Sequence, residues 1–195
     1  RDGYAATVEA RVEAGDWALV EDTFVPEWDN DEALAIMEQI LVAAENNVAA
    51  VFAANDGSAN SVIGALESAG IDPTTVPVSG QDATTAGIQN VLLGKQTMSV
   101  YKPIATEAAV GAQVALALRA GEDVTSLTGD FSIIGIDSEG KPTDYPEVVV
   151  HYFALTPICV TADNVAETVI ADGFRTVEEL CTGDVAETEF CQANG

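Results

Sequence analysis

Residues 48–104 read VAAVFAANDGSANSVIGALESAGIDPTTVPVSGQDATTAGIQNVLLGKQTMSVYKPI, and the spacing within this stretch decides the fold class. Val48 to Ala54 is apolar on both faces, as a strand buried in a parallel sheet must be. A helix is expected from about Ser58 to Ala69, a strand at Val76 to Ser79, a helix at Ala83 to Leu93 and a strand at Thr97 to Tyr101. The alternation then continues into a helix from Ile104 to Ala120. Strands alternating with helices imply right-handed crossovers, so the class is α/β with a doubly wound, mostly parallel sheet.

Working outward toward the start, Leu34, Met37, Leu41 and Ala44 recur at helical spacing behind the cap region Asp29-Asn30-Asp31. Trp17 to Val25 reads as a strand. Tyr4 to Ala14 reads as a helix stopped by Gly15. Toward the end, Gly121 to Pro146 mixes Gly, Asp, Ser and Thr around the short apolar run Phe131 to Ile136, a hairpin or excursion. Val148 to Leu155 is β-prone, and Asn164 to Ile170 and Val177 to Cys181 are short helical candidates.

Composition narrows the function. The 195 residues are 48% apolar, which suits a globular core. Each apolar run is broken by a charge, Gly or Pro before the roughly 18 residues needed to cross a bilayer, so no direct membrane span is expected. Arg1 is followed at once by a helical pattern, so no signal peptide is read there. With 32 acidic against 7 basic residues, the formal charge is −25. Such a chain repels polyanions and offers no basic stripe to displace counterions, which excludes nucleic-acid binding. The acidity reads as a solvated surface, because no Asp-x-Asp-x-Asp-Gly calcium loop accompanies it.

Cys159, Cys181 and Cys191 form no C-x-x-C pair, and the single His151 stands apart from them, so a zinc site is not expected. Cys181 and Cys191 bracket a short polar stretch, the arrangement of a disulfide-stapled loop in an oxidising compartment. Cys159, within Thr-Pro-Ile-Cys-Val, is expected to be free and buried as a small hydrophobe.

In an open parallel sheet, ligands bind beyond the carboxyl ends of the strands. Those ends here carry Pro26-Glu27-Trp28-Asp29, Asn55-Asp56-Gly57, Gly80-Gln81-Asp82 and Lys102-Pro103. A sugar offers C–H faces for an aromatic plane and hydroxyls for fixed donors and acceptors, so Trp28, Asn55, Asp82 and Lys102 form a coherent set. Each has a plainer reading. Trp28 also fits a surface aromatic or a helix staple; Asn55, Asp56 and Asp82 also fit helix caps; Lys102 also fits an exposed lysine. Catalysis is not expected, since the sequence holds no G-x-S-x-G elbow, H-E-x-x-H or phosphate loop, and His151 sits in a β-prone run. No cofactor is expected.

The segments Ala53-Ala54-Asn55-Asp56-Gly57, Val78-Ser79-Gly80-Gln81-Asp82 and Gln96 to Ile104, in their order and spacing, resemble the xylose-binding members of the type I periplasmic sugar-binding superfamily. Leu155-Thr156-Pro157, Val160 to Val165 and Val169 to Phe174 resemble the closing segment of the same family. The resemblance implies the solute-binding component of an ABC importer, taking a monosaccharide such as xylose or another aldopentose, with Trp28, Asn55, Asp82 and Lys102 as ligand contacts. It implies partnership with ABC permease subunits, and a periplasmic or extracellular setting with membrane association through the transporter or a lipid anchor. It further implies that residues 1–102 belong to the C-terminal ligand-binding lobe without its first strand. Residues 103–147 would cross to the N-terminal lobe, which is missing here, and residues 148–195 would return through the hinge and close the chain. The alternative is the effector-sensing core of a sugar-responsive transcription regulator, which shares the fold; an enzyme on the same sheet is a third.

Overall fold

A computed structural model describes residues 2–125, 128–133 and 148–195. The helices are α1 (Asp2–Glu13), α2 (Asn30–Ala43), α3 (Asp56–Ser68), α4 (Thr85–Leu92), α5 (Ile104–Ala120), α6 (Val177–Leu180) and α7 (Glu189–Asn194). The strands are β1 (Ser99–Tyr101), β2 (Gly129–Ile133), β3 (Val148–Tyr152) and β4 (Ile158–Val160).

The parallel sheet is held at a few backbone contacts. Val51 N–H donates to Pro77 O at 2.9 Å and Ser79 N–H to Val51 O at 3.1 Å, a parallel bridge between residues 51 and 78. Pro77 has no N–H, so this ladder lacks the donor that would extend it toward residue 49. On the other side, Thr97 N–H donates to Val78 O and Val100 N–H to Gly80 O, each at 2.9 Å, placing β1 parallel to residues 78–81. Beyond β1 lies β4, antiparallel, in the register Ser99–Val160, Val100–Cys159 and Tyr101–Ile158. β2 and β3 pair separately as an antiparallel two-stranded sheet, Gly129 opposite Tyr152 and Ile133 opposite Val148.

Two apolar clusters cover this frame. One joins Met37 and Leu41 of α2 to Ala59, Val62 and Leu66 of α3 and to Val76 and Val78. The other joins Ala83, Ile88 of α4 and Tyr101 of β1 to Val160, Val165, Val169 and Leu180. The final 38 residues are therefore part of the core that carries β1 and α4. Asn164 to Ile170, expected as a short helix, instead follows a 3₁₀ turn (Ala162–Asn164) and winds as a π-helical turn (Ala166–Ile170).

Three expectations change. Trp17 to Val25 forms no strand among the described residues, with Trp17, Leu19 and Val20 about half exposed. A strand needs a second backbone alongside it, and none of the described residues ladders with this one. Cys159 is exposed rather than buried. It is the middle residue of β4, and the period-2 alternation that turns Val160 inward to the core turns Cys159 outward. The β-prone run from Val148 is laddered only to Tyr152. Of the excursion between Gly121 and Pro146, residues 126–127 and 134–146 lie outside the described residues, including the end of the run Phe131 to Ile136.

Candidate ligand site

Asp56 organises the strand ends from inside. It is the first residue of α3 and is 2% exposed. Its Oδ1 accepts from Gln96 Nε2 at 2.8 Å and Ser99 Oγ at 2.7 Å; its Oδ2 accepts from Thr84 N at 2.8 Å and Thr84 Oγ1 at 3.2 Å. A carboxylate offers about four acceptor sites, and here four donors fill them. Gly80 and Gly87 make room for it, because a Cβ at either position would overlap a carboxylate oxygen. Asp56 thus ties α3, the start of α4 and β1 into one end of the sheet.

Around that hub the candidate residues fall in a row. Asp56 N–H donates to Gln81 O at 2.9 Å, setting Asn55 and Asp56 beside Gln81 and Asp82. Asp82 N–H donates to Val100 O at 2.8 Å, and Lys102 Nζ lies 2.7 Å from Asp82 Oδ1. The structure therefore joins Asp82 and Lys102 directly and brings the Asn55 loop alongside. Trp28 occupies the adjoining loop, just before α2, as Asn55 precedes α3. That loop is fixed to α3 by Ser61 Oγ donating to Asn30 O at 2.7 Å and by the Asn30 side chain seated against Gly57.

The side chains differ in how free they are. Asn55 caps α3, its Oδ1 accepting Ser58 N–H at 2.8 Å, so the cap reading is correct as far as it goes. The cap uses Oδ1 alone, and the Nδ2 protons keep their donor capacity. Asp82 caps nothing: α4 is capped by Thr84, whose Oγ1 accepts Gly87 N–H. Trp28 is 63% exposed. Asp82 and Lys102 are each about two-fifths exposed, so their ion pair contributes at most about 1 kcal/mol and opens readily to an incoming hydroxyl.

Two of these loops hold left-handed backbone outside glycine. Glu27 and Trp28 have φ of 51° and 58°, and Asp82 and Ala83 have φ of 92° and 46°. Such residues cost of order 1–3 kcal/mol each and persist where the surroundings impose them. Beside the row, an open pocket of about 390 Å³ is lined by Lys102, Pro103, Glu107, Tyr152, Leu155 and Pro157 among others. Among the described residues no cluster of His, Cys, Asp and Glu suits a metal ion, and no helix is long and apolar enough to cross a membrane.

Sequence reasoning missed Asp56 as the hub, having read it only as a possible cap, and missed Arg175 altogether. Arg175 Nε donates to Ala83 O at 2.9 Å across 92 positions of sequence. The only signal was indirect: a basic residue is scarce in a chain with 7 of them.

Residues 1–123 match the family described as periplasmic binding protein domain. The D-xylose-binding periplasmic protein of Escherichia coli (strain K12) is 37% identical over 183 residues, covering 92% of this chain and 50% of that protein. That of Haemophilus influenzae is 37% identical over 180 residues, with the same coverages. This chain spans about half the length of the curated relatives it matches. Among solved structures, an ABC transporter solute-binding protein from Clostridium phytofermentans, with bound β-D-glucose, superposes with a TM-score of 0.68 at 23% identity, over 92% of this chain and 54% of that one.

Proposed function

This chain belongs to the periplasmic binding protein family and has the type I fold, and from that premise we propose that it forms one wall of a monosaccharide site in an ABC importer. The observation that carries this reading is the row of Asn55, Asp82 and Lys102 on adjoining strand ends, with an exposed tryptophan on the next loop. Lys102 would donate to a ring or hydroxyl oxygen while Asp82 accepts from a hydroxyl, the weak bond between them being exchanged for two charge-assisted bonds to the sugar. Asn55 Nδ2 would donate to a neighbouring hydroxyl, and the Trp28 ring would cover a C–H face. The relatives named for D-xylose support an aldopentose as the ligand.

The site is read as binding without catalysis, since a lysine-paired carboxylate and an amide serve recognition and the sugar is delivered unchanged. The product of binding is a closed, loaded protein presented to permease subunits outside the cytoplasm, held at the membrane by the transporter or a lipid anchor. Residues 1–102 act as the ligand-binding lobe, 103–147 as the crossover to a second lobe, and 148–195 as the hinge return and closing segment. The second lobe supplies the opposite wall, because a site of this kind buries most of its ligand.

Fluorescence tests the aromatic part. In the two-lobed protein, D-xylose should change the tryptophan emission, because Trp28 exchanges water for a sugar face. Trp28→Ala should weaken binding and remove the change, whereas Trp17→Phe should keep it, Trp17 standing instead with its ring 6.0 Å from the Arg11 guanidinium. A full signal that survives Trp28→Ala would remove Trp28 from the site.

A further inference from the structure

Apart from the Lys102 pair, the Asp82–Thr85 turn is held by groups that the sugar would not touch. Ala83 N–H donates to Ser99 Oγ at 3.0 Å, and Thr84 is bonded to Asp56 through both its N–H and its hydroxyl. Asp82 N–H donates to Val100 O, and two further bonds come from the closing segment. Arg175 Nε donates to Ala83 O at 2.9 Å, and Thr85 Oγ1 donates to Glu179 Oε1. Arg175 is itself fixed: its guanidinium carbon lies 4.2 Å over the Phe174 ring, its Nη1 donates to Phe174 O, and Glu179 Oε1 is 3.8 Å away. Phe174 in turn packs against Tyr101, ring centroids 4.9 Å apart, next in sequence to Lys102. The side chain of Arg175 is 18% exposed.

The Ala83 carbonyl closes a pair of left-handed residues, ahead of extended Thr84, and no strand ladder satisfies it. Without a donor the turn loses one of the bonds that hold it against relaxing to ordinary backbone, a change that would swing the Asp82 carboxylate away from Lys102. We infer that Arg175 is a positioning residue for Asp82, holding the left-handed Asp82–Ala83 turn so that the carboxylate stands preset toward a sugar hydroxyl. The inference rests on the ligand role proposed for Asp82. Its consequence is that the closing segment takes part in recognition through a residue that does not reach the ligand. Preset geometry raises affinity by avoiding an ordering cost on binding.

The test is amide exchange and a double-mutant cycle in the two-lobed protein, with D-xylose as probe. Arg175→Met keeps the apolar stem over Phe174 and removes the donor. It should speed exchange of the Asp82 and Ala83 amides about tenfold while leaving Val78, whose environment Arg175 does not touch, as in wild type. It should weaken D-xylose binding about 5–10-fold, and in an Asp82→Ala background it should add less than about twofold, because its effect passes through Asp82. If Arg175→Met does not fold, Arg175→Lys replaces it in the same measurements, keeping the charge and losing the planar fork. Unchanged exchange at Ala83, or an equal loss of affinity with and without Asp82, overturns the inference. Wild-type affinity in Asp82→Ala alone overturns instead the ligand role of Asp82.

Discussion

Tyr101 shows what burial does to one residue beside the site. It is 1% exposed, and its hydroxyl donates to Asp172 Oδ2. Burial, then the hydrogen bond to Asp172 and its negative charge, push the phenol from 10.0 up to about 12. The neutral form is favoured in the folded state, so the stabilisation is fully present below pH 10 and is lost as pH rises toward 12. Spectrophotometric titration should therefore show one tyrosine ionising about two units late, and Tyr101→Phe should remove that late step. A titration unchanged by Tyr101→Phe would contradict the buried pair. At the same scale, the placement of Asn55, Asp82 and Lys102 on adjoining strand ends was legible in the sequence, because the strand-end rule needs only strand boundaries. The exposure of Cys159 was not, since an apolar run does not reveal which face of its strand the core covers. Thiol counting separates the two cases. One cysteine should react in the native protein and still only one after unfolding without reductant, the other two being the Cys181–Cys191 disulfide. Three thiols after unfolding would contradict this, and none in the native state would return Cys159 to the interior.

Elements meet at Asp56, and their joint dependence on one carboxylate is a stability statement. Asp56→Ala strands the Ser99 hydroxyl, the Gln96 amide and the Thr84 N–H at or near a buried site. Each unpaired group costs of order 1–3 kcal/mol, so a loss of about 3 kcal/mol or more is expected in urea unfolding. Gly87→Ala should be similarly harmful even though alanine favours helices, because its methyl would overlap Asp56 Oδ2. A Gly87→Ala protein as stable as wild type would show that the carboxylate is not confined there. The helices α2, α3 and α4 were readable from apolar periodicity, with ends moved by two residues or fewer on α3 and α4. Asp56 as a hub was not readable, since its partners Thr84, Gln96 and Ser99 lie 28 to 43 positions away. Nor was the failure of Trp17 to Val25 to pair, because propensity reports what a strand needs and not what lies beside it.

On the scale of the whole molecule, the proposed one-walled site has consequences of its own. None of the side chains of α5 is buried, and Leu116 and Leu118 are 65% and 58% exposed. The 195 residues alone should bind an apolar dye or self-associate through this helix, and a dye-inert monomer by light scattering would contradict that. The same chain alone should bind a pentose weakly or not at all, one wall being unable to exclude water from both faces of a sugar. The central claim is that Asp82, preset beside Lys102, carries sugar recognition. It is tested most directly by calorimetric titration of D-xylose into the two-lobed protein and its Asp82→Ala variant. Binding is expected for the first, and a loss of about 1.5–3 kcal/mol, roughly 10- to 150-fold, in the second. Equal pentose affinity in both proteins would contradict it.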